Sequence, residues 1–109
     1  MVRVDIKLTR AKIADCVGHA ALACYKEALK TRSAIVNEWE EKGCQAKIVL
    51  QVNSEAELLK IIEAAKIKGI PTSVIEETEK KVKTAIVGAI GPDTKKEIDL
   101  YTGLLKLLT

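Results

Sequence analysis

From Val2 to Leu8 the chain alternates, with Val2, Val4, Ile6 and Leu8 apolar and Arg3, Asp5 and Lys7 polar. A repeat of two is that of a β-strand, so residues 2–8 are predicted as a strand with one buried face. After Thr9 the repeat lengthens. Ile13, Val17, Ala20, Ala21, Cys24 and Ala28 recur at three- and four-residue steps, predicting a helix to about Lys30 with Thr9 as its N-cap. Its alanines and Gly18 predict close packing on a sheet, because small side chains let backbones approach. Ser33 is placed to cap a second, short helix carrying Ile35, Val36 and Trp39, which Gly43 stops.

"KIVLQV" (47–52) is β-branched and mostly apolar, and is predicted as a strand. "SEAE" (54–57) has the Ser-x-x-Glu form of a capping box and opens a helix with Leu58, Ile61, Ile62 and Ala65 as its buried stripe, ended by Gly69. Pro71 leads into a strand over 72–76. "ETEKKVK" (77–83) reads as a charged turn, and residues 84–90, fully apolar after Thr84, as a strand at a sheet centre. "TKKE" (94–97) is a second capping box, starting a helix that Gly103 ends, and the tail "LLKLL" must dock somewhere. The order β-α-α-β-α-β-β-α predicts one α/β domain over 1–109: an α/β/α sandwich whose four-stranded mixed sheet carries helices on both faces.

Composition sharpens this picture in three places. A chain of 109 residues, 48% hydrophobic and 30% charged, suits one soluble domain with a single real core. Phenylalanine is absent, so that core is built from Ile, Leu, Val and Ala. The net charge of +3 permits an anionic partner such as RNA without demanding one; a solvated lysine surface explains it equally well. No apolar run reaches membrane-spanning length and the start lacks a secretory pattern, which predicts a cytoplasmic protein with no membrane partner. Its three cysteines then read as reduced thiols.

The chain has one histidine, His19, and on a helix it shares a face with Lys12 and Cys16. Three site chemistries compete for it, beside a plain surface role. A zinc site would draw on Cys16, His19, Cys24 and Cys44, but the spacings are irregular and no Cys-x-x-Cys pair exists, so no metal is expected. A Cys16–His19 nucleophile is disfavoured, because thiols on an alanine-rich helix usually pack. General-base chemistry by His19, with Lys12 stabilising an oxyanion or holding a phosphate, is the third reading, and on these residues alone it is one hypothesis among several. "VGAIGP" is too short for a phosphate loop.

The opening "VRVDIKLTRAKIADCVGHAALACYK" resembles that of the archaeal and eukaryotic (second) type of peptidyl-tRNA hydrolase, V-R-x-D-L-K-M-G-K-G-K-I-A-A-Q-x-x-H-A. Arg3, Asp5, Lys7, Lys12, Ile13, Ala14, His19 and Ala20 match in register. "EWEEKGCQAKIVLQVNSEAELL" and "AIGP…IDLYTGLLKLL" are similar to later blocks of that family, in the same order. Departures cluster in two places. Cys16 stands for a glutamine, and Thr9, Arg10 and Ala11 for a Gly-Lys-Gly turn. The family's D-A-G-x-T-Q-I-x-P-G-T segment appears as "ETEKKVKT", a few residues shorter, with Glu77 at the aspartate's place.

The resemblance implies hydrolysis of the ester joining a peptide to tRNA, with peptidyl-tRNA as partner and no cofactor or metal. His19 would activate water, Lys12 would stabilise charge or grip the terminal phosphate, and Glu77 would do part of the aspartate's work. Lys7, Arg10, Lys47, Lys80 and Lys81, with Thr84 closing the altered segment, would bind the substrate and its tRNA. For Asp5 it suggests a structural ion pair or a lysine-orienting role near the site. A homodimer is the default. The alternatives are a member that has lost catalysis and serves as an RNA- or protein-binding module, and a different hydrolase on the same scaffold.

Overall fold

The computed structural model describes residues 1–43 and 45–109, with Glu79 described by its backbone; the reading of Cys44 lies outside these residues. The elements are β1 (Val2–Arg3), α1 (Arg10–Thr31), α2 (Ser33–Glu41), β2 (Gln51–Val52), α3 (Glu55–Ile67), β3 (Thr72–Glu79), β4 (Val82–Ile90) and α4 (Lys95–Thr102). Their order is the predicted one. The strands form a single mixed sheet in the order β2-β1-β4-β3, with β1 parallel to β2 and antiparallel to β4, and β3 and β4 antiparallel.

β4 lies inside the sheet, as its apolar run predicts, and Ala85 to Val87 are buried. Across the β3–β4 ladder Ile75 faces Val87 while Glu76 faces Ala85, so Ile86 is an extra residue and β4 carries a bulge. The bulge turns Ile86 and Val87 to the same side. There they pack with Val2, Cys16 and Ala20 under α1. Ala85 joins Met1, Val52, Leu58 and Ile62 on the other side, under α3. With α2 beside α1 and α4 beside α3, helices cover both faces.

The first helix packs closely on the sheet through its alanines, but not through Gly18. Ala20 and Ala28 are buried, and the Ser73 hydroxyl donates to the Ala20 carbonyl at 2.7 Å. A Cβ at Gly18 would meet nothing within 4 Å, whereas one at Gly88 would lie 2.9 Å from Leu58 Cδ1 and 3.1 Å from Ile62 Cδ1. At Gly88, therefore, α3 rests directly on β4. Three of the four expected caps form: Thr9, Ser54 and Thr94 accept from the backbone N–H of Lys12, Glu57 and Glu97. Ser33 does not. It is the first residue of α2 itself, the cap position is Arg32, and no side chain closes that end.

Strand lengths differ most from the pattern. β1 was expected over 2–8 but pairs only at Val2 and Arg3. Its parallel partner turns into α3 after Val52, and beyond that point Val4 is half-exposed. The strand expected over 47–52 is regular only at Gln51–Val52, because the residues before it pair with the tail instead. Leu50 bridges to Leu107, and the Leu108 N–H donates to the Val49 carbonyl at 3.0 Å. The expected turn over 77–83 is mostly ladder. Glu77 pairs with Thr84 and Glu79 with Val82, leaving a two-residue turn at Lys80 and Lys81, whose φ values are 50° and 68°. Two positive φ values mark a turn whose twist matches the strands it joins.

Candidate active site

Lys12 stands in the first turn of α1, where that helix begins over the hairpin end of the sheet. Its Nζ lies 2.9 Å from Glu77 Oε1 on β3, both side chains being a little over two-fifths exposed. The hydrogen bond to Glu77, reinforced by that residue's charge, raises the Lys12 pKa, so the ammonium persists at any physiological pH. Because Glu77 reaches up to α1, its ladder partner Thr84 points to the same face. Directly paired residues bring their Cβ atoms to about 5 Å.

Thr84 is held from its other side by a polar cluster. Arg3 Nη1 donates to Thr84 Oγ1 at 2.8 Å and to the Ala85 carbonyl at 3.0 Å. Its Nε and Nη2 grip the two Asp5 oxygens at 3.0 and 2.7 Å. Glu55, the first residue of α3, accepts from the Thr84 hydroxyl at 3.0 Å and from the Ala85 N–H at 2.6 Å, both through Oε2. This cluster explains how β1 can stop at Arg3. Where a longer β1 would have continued its ladder with β4, Arg3 and Glu55 side chains satisfy the Ala85 backbone. The Arg3 hydrogen bond holds Asp5 below the usual carboxylate range, and the Ala85 N–H, then the Thr84 hydroxyl, hold Glu55 below it. Arg3 is raised, chiefly by Asp5.

His19 lies on the same flank of α1 as Lys12, but seven residues of helix separate them by about 10 Å along the axis. Its Nε2 is 3.3 Å from Asp15 Oδ1, and both side chains are about two-thirds exposed. Cys16 faces the core at 3% exposure, and burial pushes its thiol up. Cys24 is buried likewise, with Sγ 3.4 Å from Ser73 Oγ. Among the described residues no group of three or more His, Cys, Asp or Glu side chains could hold a metal ion.

The structure thus joins Lys12, Glu77 and Thr84, with Asp5 behind them through Arg3. Lys7, Arg10, Lys80 and Lys81 are exposed, the last two at the tip of the hairpin that carries Glu77 and Thr84. Lys47 is elsewhere. It lies 5.7 Å over the Trp39 ring, and Trp39 packs on Tyr25 of the C-terminal half of α1 at 6.1 Å between centroids. Beside this group an apolar cavity of about 610 Å³ opens between Val17, Tyr25, Trp39, Ile48, Pro92 and Ile98. The sequence pattern gives no role to Glu55 or Asp15, and it brings in Arg3 only as a family match beside Asp5. Asp15 was available from its i,i+4 spacing to His19. Glu55 was hidden inside a motif that draws the eye to Ser54 and Glu57.

The family described as peptidyl-tRNA hydrolase PTH2 matches residues 1–108. A peptidyl-tRNA hydrolase of Methanopyrus kandleri is 40% identical, over 99% of this chain and 94% of that one. One of Staphylothermus marinus is 41% identical, over 99% and 91%. A probable peptidyl-tRNA hydrolase 2 of Drosophila melanogaster is 38% identical over 99% of this chain and 59% of its own length.

Proposed function

This chain belongs to the peptidyl-tRNA hydrolase PTH2 family, and from that membership we propose that it hydrolyses the ester joining a peptide to the 3′ ribose of tRNA. The observation that carries a mechanism is the 2.9 Å pair of Lys12 and Glu77 beside Thr84. Water bound between Glu77 and Thr84 attacks the ester carbonyl carbon and gives a proton to the Glu77 carboxylate. The carbonyl oxygen becomes an oxyanion, and the Lys12 ammonium stabilises it. When the intermediate collapses, the bond to the ribose oxygen breaks and that oxygen takes the proton back from Glu77. Free peptide acid and tRNA leave.

In this scheme water activation passes from His19 to Glu77, because Glu77 touches Lys12 whereas His19 is partnered by Asp15. His19, Lys7 and Arg10 flank the approach to the pair. Lys80 and Lys81 extend the positive surface along the hairpin tip, where an acidic strand gains from each charge it neutralises. Lys47 belongs to a separate contact at the far end of α1. The protein works in the cytoplasm, where its substrate arises, and as a homodimer. The exposed Ile48, Leu104 and Leu107 around the docked tail offer an apolar surface for the second copy.

Turnover of an N-blocked aminoacyl-tRNA by the purified chain tests the reading directly. Release of free tRNA that Lys12→Ala abolishes supports it; tRNA binding by the wild type with no hydrolysis would replace it with a binding module.

A further inference from the structure

Glu55 stands outside the Lys12–Glu77 pair, yet it bears on how Thr84 can act there. A hydroxyl has one hydrogen to donate and two lone pairs to accept with. In Thr84 the hydrogen goes to Glu55 Oε2 at 3.0 Å, and one lone pair receives Arg3 Nη1 at 2.8 Å. A carboxylate can only accept, and Glu55 stays ionised because the Ala85 N–H and the Thr84 hydroxyl both stabilise its charge. The hydroxyl hydrogen is therefore committed, and Thr84 has a single lone pair left, beside Glu77. We infer that Glu55, together with Arg3, is a positioning residue that makes Thr84 an acceptor-only anchor for the attacking water.

The consequence is a fixed orientation for that water. It donates one hydrogen to Thr84 and the other to Glu77, and its oxygen lone pair is left to face the ester. Without Glu55 the hydroxyl is free to rotate and donate to the water instead, which would turn that lone pair away from the carbonyl. This inference rests on Lys12–Glu77 being the reacting centre. It also has to be separated from the structural work of Glu55, which satisfies the Ala85 N–H at 2.6 Å.

A double-mutant cycle makes the separation. Glu55→Ala, Thr84→Val and the double variant are assayed for kcat and KM below their melting temperatures. Glu55→Ala should lower kcat about tenfold at unchanged KM, and add nothing further in the Thr84→Val background. Glu55→Gln, whose amide oxygen can still accept from Thr84, should recover part of the loss. An equal fall in both backgrounds, or no fall in kcat, would overturn the inference. A second readout needs no turnover. The Thr84 hydroxyl proton should be protected from exchange in the NMR spectrum of the wild type and lost in Glu55→Ala. Its absence from the wild type would refute the hydroxyl geometry itself. A protected proton in a protein that hydrolysed nothing would refute the reaction while leaving that geometry intact.

Discussion

At the start of α1, Lys12 meets the Glu77 carboxylate at 2.9 Å; near its end, Lys47 rides over the Trp39 ring at 5.7 Å. The two lysines meet different partners, and those partners decide what each can do. Around Lys12 the neighbours are directional: a carboxylate, a hydroxyl with one lone pair to spare, and an arginine bonded on three sides. Around Lys47, apart from a hydrogen bond to the Gln45 carbonyl at 2.6 Å, they are surfaces: an indole packed on a phenol, and an apolar cavity of about 610 Å³. Directional groups can hold a water and receive a developing charge, whereas apolar surfaces confer affinity without orientation. In the proposed reaction the chemistry belongs at the first end and contact at the second.

The strongest test of that contrast is to remove each lysine in turn. Lys12→Ala should cut kcat/KM for peptidyl-tRNA by about a hundred- to a thousandfold, the usual loss when one oxyanion donor is removed. Lys47→Ala should leave kcat unchanged. Comparable losses would dissolve the comparison. Glu77→Gln should follow with a fall of about a hundredfold and Glu77→Asp should retain part of the activity, whereas His19→Ala should cost less than either. If His19→Ala proved the most damaging, water activation would return to the imidazole.

The next effect is on stability. Arg3→Ala strands Asp5, Thr84 and the Ala85 carbonyl together, which should cost about 1–3 kcal/mol, read as a shift of the urea midpoint. Acid should reveal the same cluster. Asp5 and Glu55 both have folded pKa values below their ordinary ones. Their contribution is therefore complete above about pH 5 and is lost as pH falls through the depressed values. The urea midpoint of the wild type should drop over that acidic range, and that of Arg3→Ala should drop less. No such difference is expected for Lys47→Ala.

The smallest effect concerns the hairpin tip. Lys80 and Lys81 occupy left-handed backbone positions that favour asparagine and glycine. Replacing them together by Asn and Gly should stabilise the protein by about 1 kcal/mol while weakening tRNA binding and flattening its salt dependence. Stabilisation without any loss of affinity would remove the tip from the RNA surface.

Much of the architecture was legible because periodicity reports burial, and burial made the elements: the 84–90 run is buried inside the sheet, and the stripe at Leu58 and Ile62 packs beneath it. What was not legible depended on partners distant in sequence. Nothing within Val2–Leu8 says that the strand stops at Arg3, since the ending is set by Val52 turning away and by Glu55 reaching in. The charged stretch 77–83 looked like a turn because both its faces are polar, yet cross-strand pairing carries it nearly to the tip. Lys12 was legible from the helix face it shares with His19, whereas Glu77 was reached only through the family resemblance. Glu55 escaped both, because its work is to stand in for a backbone that is not there.

The bulge at Ile86 has a consequence for how such a protein can change over generations. It divides the hairpin into an inner ladder, 72–75 with 87–90, pinned between two helical layers, and an outer one, 76–79 with 82–85, that bears Glu77 and Thr84. Residues gained or lost between Glu77 and Thr84, toward the tip, alter the reach and charge of the outer arm without displacing a core side chain. The molecule can thus vary its grip on a substrate as an inheritable length, with the scaffold left untouched.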